Sequence, residues 1–156
     1  MTAAPVPAGR ALADAARRGL EIELVPRPPA SSLAEAADDL GIAASALVKT
    51  LVVRRADDDH LFVLVPGDRQ ISWPKLRALV GVNRLSLPPA QVALDATGYV
   101  RGTITPLGSR TAWPVFADER VTGRIALGSG EQGHALLVSA LDLLRAYDAT
   151  VADLSD

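Results

Sequence analysis

Apolar and polar positions alternate over Glu21-Ile22-Glu23-Leu24-Val25, as they do in a half-buried strand. Val48 to Arg54 is almost wholly apolar apart from Lys49 and Thr50, and Leu61 to Val65 is wholly so. Runs of this length and kind predict buried strands, with Asp57-Asp58-Asp59-His60 as the turn between them and His60 solvated. Val82–Leu87, Ala112–Ala117, Arg124–Leu127 and His134–Val138 read as further strands, and Val151–Leu154 as an edge strand.

Helices are marked by their ends. Ala11–Arg18 is rich in alanine and arginine and stops at Gly19. Ser32-Leu33-Ala34-Glu35 is a capping box that opens a helix through Leu40, with Gly41 as its stop, and Ala43–Leu47 adds one more turn. Ser72-Trp73-Pro74 starts a helix ending near Gly81, because serine caps and proline is tolerated in the first turn. Ala90–Ala96 is a short helix, and Ser139 caps a last one to about Tyr147. Strands and helices intermix without regular alternation and without a repeat or linker. The pattern predicts one α+β domain over residues 1–156 around a mixed sheet.

Composition narrows the function. Of 156 residues, 49% are hydrophobic and only 4% aromatic, so the predicted core is built from small aliphatic side chains. The absence of cysteine excludes disulfides, Fe–S clusters and a thiol nucleophile. Two distant histidines give no support to a zinc site. Met1–Arg10 carries no apolar run of a signal peptide, and no window is long enough for a membrane span, so a cytoplasmic location is expected. The net charge of −2 argues against a general nucleic-acid binder. Residues 69–124 nevertheless carry eight cations against three anions, a local excess able to attract phosphates or simply to remain a solvated surface.

The richest chemistry lies where side chains are scarce. Gly98-Tyr-Val-Arg-Gly-Thr-Ile-Thr-Pro-Leu-Gly108 holds three glycines and a proline, a composition suited to presenting backbone groups to a small polar ligand. Gly128-Ser-Gly-Glu-Gln-Gly133 spells the dinucleotide fingerprint, but a strand rather than a helix is predicted after it, so a turn presenting amides is the better reading. Ser129 lacks the elbow of a serine hydrolase. Lys49 falls among apolar neighbours, either with its stem packed and its ammonium in water or as a cation in a pocket. His134 and Asp118 each have a structural alternative, and Asp118 is a candidate partner for Lys49.

Gly98 to Gly108 resembles the signature of the YbaK/ProRS-associated family of aminoacyl-tRNA editing domains, with Gly102 to Pro106 matching its Gly-x-x-x-Pro loop. The likeness continues at Val48-Lys49-Thr50 and at Ser129-Gly130-Glu131-Gln132-Gly133. The resemblance implies a curved, barrel-like sheet flanked by helices and a deacylase that hydrolyses mischarged tRNA in trans, of the Cys-tRNA(Pro) or Ala-tRNA(Pro) type. It implies Lys49, Gly102, Thr103, Ile104, Pro106, Ser129 and Gly130 as the catalytic set. Tyr99, Gly108, Asp118, Gly128 and His134 would contact substrate. Its arginines would meet acceptor-stem phosphates, tRNA and possible docking to a synthetase are the implied partners, and no metal or organic cofactor is implied. Two alternatives remain: a non-catalytic module that binds aminoacyl-tRNA or a synthetase, and an unrelated small-ester hydrolase.

Overall fold

The computed structural model describes residues 8–156; Met1–Pro7, and with them most of the segment read for a signal peptide, lie outside the described residues. Five helices and seven strands follow in the order α1 (Gly9–Arg17), β1 (Ile22–Pro26), α2 (Leu33–Leu40), β2 (Val48–Ala56), β3 (Asp59–Pro66), α3 (Trp73–Val80), α4 (Ala90–Thr97), β4 (Val115–Asp118), β5 (Arg124–Gly128), β6 (His134–Ser139), α5 (Ala140–Ala146) and β7 (Thr150–Ala152). A single 3₁₀ turn, Ala44–Ala46, leads into β2. No helix among the described residues is long and apolar enough to cross a membrane.

The strands form two sheets. One is antiparallel, in the order β1-β6-β5; the other is mixed, in the order β2-β3-β4-β7, with β2–β3 antiparallel and the other pairs parallel. A parallel bridge between Leu47 and Ala126 joins them, and the sheet expected to curve like a barrel is not closed into one.

β3 explains why its sequence is apolar without alternation: it is buried on both faces. Phe62 and Leu64 pack with Val48 and Val52 against Ile125, Leu127, Leu136 and Val138 of the other sheet. Leu61, Val63 and Val65 face the other way, onto Leu76 of α3 and Leu154. Phe62 is 1% exposed, and truncating it to alanine would cost about 3–5 kcal/mol.

Two elements differ from the sequence reading. Val82–Leu87 forms no strand; only Ser86 pairs, with Arg54, because Gly81 and Pro88-Pro89 break the chain on either side. His60 is not solvated. The turn is only Asp57-Asp58, with Asp58 at φ 54°, so His60 joins β3 opposite Arg54 and is 3% exposed. Its ring meets Trp113 edge-on at 5.1 Å, and neither ring nitrogen has a hydrogen-bond partner among the described residues.

Candidate functional site

β2 carries Lys49 to one wall of a cleft. Leu47 and Val48 anchor the strand in the core; Lys49 and Thr50, on alternate faces of the strand, are half-buried and line the cleft, and Leu51 packs partly against the Leu61 and Val63 side of β3. Thr50 sets beside the lysine a sequestered hydroxyl without a hydrogen-bond partner among the described residues. A buried hydroxyl left unpaired is costly, so this one is a natural contact for a polar ligand.

The facing wall is backbone. Val100 to Thr103 makes a tight turn in which both the amide and the hydroxyl of Thr103 donate to the Val100 carbonyl, at 3.1 and 2.8 Å. Gly102 sits at its exposed tip with φ 93°, a conformation other residues rarely adopt. Among the described residues no acceptor receives the N–H of Gly102 or of Ile104. Gly128 completes this wall by close approach: a Cβ there would lie 2.5 Å from the Ile104 carbonyl oxygen and 2.8 Å from that of Thr103.

Two adjoining hollows make up the cleft. One, of about 440 Å³, is lined by Lys49, Thr50, Gly102, Ile104 and Gly128. The other, of about 540 Å³, is lined by Gly102, Thr103, Glu131 and His134. Arg27, Leu33, Leu47, Arg101 and Gly102 belong to both. Three cations therefore face the cleft with Glu131 as the lone acid among its lining residues, an electrostatic setting for an anion or a developing oxyanion. His134 is half-exposed at the rim, its Nδ1 3.4 Å from the Gln132 carbonyl oxygen.

The sequence model of the aminoacyl-tRNA editing domain matches residues 27–146, well over half of the chain. The chain belongs to this editing-domain family. It is similar to the proline–tRNA ligase of Geotalea daltonii, 30% identical over 83% of this chain and 22% of the ligase. With the proline–tRNA ligase of Nitratidesulfovibrio vulgaris it is 36% identical over 64% of this chain and 17% of the ligase. It thus spans about a fifth of the length of these curated relatives. A solved structure described as a candidate trans-editing enzyme for prolyl-tRNA synthetase superposes with a TM-score of 0.86, at 25% identity over 98% of this chain and 99% of the other.

Not every residue nominated from sequence reaches the cleft of this editing domain. Lys49, Gly102, Thr103, Ile104, Gly128 and His134 do. Pro106 is buried beneath the loop. Ser129 is 1% exposed, with its Oγ donating toward the carbonyls of His134 and Glu131, at 3.0 and 3.1 Å, and accepting from the Glu131 amide. The amide of Gly130 donates to the Thr103 carbonyl at 2.7 Å, so it binds one turn to the other instead of facing substrate. Tyr99 is buried, its hydroxyl donating to the Leu107 carbonyl at 2.7 Å, and the Gly108 amide donates to Asp14.

Asp118 does not pair with Lys49. It is fully buried in β4, accepts from the amides of Leu154 and Arg120 at 2.9 and 3.1 Å, and pairs with the Arg120 guanidinium at 3.1 Å. Burial pushes its carboxyl up, but these donors outweigh it and hold the group below the usual carboxylate range. Nor do the cations of residues 69–124 form one face. Arg69, Lys75 and Arg120 are tied to Asp153, Ser155 and Asp156, and Arg124 pairs with Glu23. Arg77 and Arg84 share a separate hollow with Arg54 and Arg55, and Arg101 lines the cleft. Arg27, Arg101 and Thr50 were missed as site residues. Arg101 and Thr50 sit inside the quoted motifs, directly beside Gly102 and Lys49, whereas nothing local to the proline loop marks Arg27.

Proposed function

We propose that this editing domain is a trans-acting aminoacyl-tRNA deacylase for tRNA mischarged with a small amino acid, of the Ala-tRNA(Pro) or Cys-tRNA(Pro) type, working in the cytoplasm. A synthetase separates side chains differing by one methylene by only about 1–3 kcal/mol, so a second hydrolytic site is needed. The observation that carries the reading is the cleft. Lys49 and Thr50 of β2 and the loop of Gly102 and Ile104, whose amides have no acceptor among the described residues, line one hollow of a size usual for small-ligand sites.

In this mechanism Lys49, Arg27 and Arg101 hold the charged 3′ end, and the Thr50 hydroxyl meets a ribose oxygen. The amides of Gly102 and Ile104 orient the ester carbonyl and stabilise the oxyanion as a water adds to its carbon. The C–O bond to the ribose then breaks, giving the free amino acid and the ribose hydroxyl. Gly128 and Thr103 set the width of the hollow, and His134 contacts substrate or water from the rim. No covalent intermediate is required.

One observation favours a second reading, a module that binds aminoacyl-tRNA or a synthetase without turnover: among the described residues, no histidine or carboxylate lines the hollow beside Lys49. A deacylation assay on a panel of mischarged tRNAs separates the two. Release of a small amino acid at a rate above spontaneous hydrolysis supports the deacylase. Tight tRNA binding without release supports the module. Hydrolysis of simple esters without preference for tRNA contradicts both.

A further inference from the structure

Residues 98–114 form no helix or strand, so the loop lining the cleft has no ladder of its own. Several of its tethers come from α1, which lies outside the span matched by the family and contributes no residue to the cleft. Arg10 gathers both ends of the loop onto one guanidinium. It donates to the carbonyls of Gly108 at 2.6 Å, Thr97 at 3.3 Å and Gly98 at 3.5 Å. One turn on, Asp14 accepts from the Gly108 amide at 3.0 Å, from Arg17 and Arg18 at 2.9 and 3.0 Å, and from the hydroxyl of Tyr147, the residue that caps the end of α5. Burial pushes this carboxyl up, yet the donors prevail and bring it down to about 2, so it stays an acceptor at any working pH. The approach is close enough to require glycine: a Cβ on Gly108 would lie 2.5 Å from the Arg10 backbone and 2.6 Å from the Tyr99 hydroxyl.

The contact chain reaches the cleft. The Arg10 guanidinium lies 4.8 Å over the Tyr99 ring. On that ring rests Gly130, where a Cβ would come within 2.4 Å of a ring carbon. Gly130 in turn donates to the Thr103 carbonyl, beside the Gly102 and Ile104 amides.

We infer that Arg10 and Asp14 are positioning residues of the editing cleft: they set where the Gly102–Ile104 backbone stands relative to Gly128 and Lys49, and with it which side chains fit. This rests on the deacylase reading for its kinetic readout alone. Arg10→Ala, assayed where circular dichroism shows it folded, is expected to deacylate alanyl-tRNA about 10- to 100-fold more slowly, since misplacement by about 1 Å has effects of that size. Its preference between alanyl- and bulkier aminoacyl-tRNA also shifts. Millimolar guanidinium ion, and not equal sodium chloride, restores the rate. Arg10→Lys, which keeps the charge but not the three-carbonyl fork, serves if the alanine variant does not fold.

The ¹H–¹⁵N spectrum gives a readout independent of turnover. The amide signals of Gly102, Thr103 and Ile104 move in the Arg10 variant while those of β3 stay. A folded variant with wild-type rate, preference and loop amide shifts overturns the inference. Should the wild-type protein deacylate nothing, the deacylase reading falls, and the spectra alone decide this one.

Discussion

Gly128→Ala is the sharpest single perturbation the structure offers. The added Cβ would sit 2.5 Å from the Ile104 carbonyl oxygen, about 0.9 Å short of the 3.4 Å at which ordinary contact begins. Both nearest residues present backbone, Ile104 and Thr103, so no side chain can swing aside. Either the end of β5 or the loop must move, and the 2.7 Å hydrogen bond from Gly130 to Thr103 spans that same junction. Overpacking costs about 1–3 kcal/mol and a strained neutral hydrogen bond about 1 kcal/mol. A loss of about 2–4 kcal/mol is expected, or about 4–16 °C in Tm for a domain of this size. A shift of this size at the amides costs about 100-fold in the single-turnover deacylation rate. Gly9→Ala is the control: a Cβ there meets nothing within 4 Å, and stability should change by less than about 1 kcal/mol. A Gly128→Ala protein with wild-type Tm and rate would refute the close-approach reasoning.

Three further outcomes follow from groups away from that junction. Burial lowers the pKa of His60, which faces Arg54 with Asp58 and Asp59 nearby, so the unfolded chain binds its proton more readily than the folded one. Stability is then full above the unfolded value of about 6.5 and falls as pH drops below it, as urea melts at about pH 7.5 and about pH 5.5 would show, and His60→Leu flattens this profile. Asp118→Ala leaves the buried Leu154 amide without its acceptor and lowers stability by about 1–3 kcal/mol in a denaturant melt. Charge reversal of Arg77 and Arg84, which share a hollow with Arg54 and Arg55, raises the KM for tRNA and flattens the log–log salt dependence of binding by about 1.5–2.

What the sequence made legible is what is held locally. Ser32 caps α2 by accepting from the Glu35 amide at 3.1 Å, and Gly41 and Gly81 close their helices in the left-handed conformation. The Glu35 carboxylate, however, accepts from Ser31 instead of closing the box on Ser32. β3 was readable because a strand buried on both faces needs no alternation, and β2 because Val48, Val52 and Val53 carry it into the two cores. Lys49, Gly102 and Gly128 stood out as a cation in an apolar strand and as clustered glycines, but it was the family resemblance that assigned them to the site, and all three line the cleft. Two of the misreadings turn on distant partners. Asp14 and Gly108 are 94 positions apart, and Asp118 and Leu154 are 36 apart, so no window shows that these pairs satisfy each other. His60 looked solvated because three aspartates precede it, whereas the turn ends before it and Trp113 covers its ring.

The most direct test of the account is a crystal structure with a non-hydrolysable alanyl-adenosine amide. The prediction is an alanyl carbonyl oxygen within about 3 Å of the Gly102 or Ile104 amide, and the Lys49 ammonium against the nucleotide. An analogue bound in another hollow, with the Lys49 cleft empty, would contradict it.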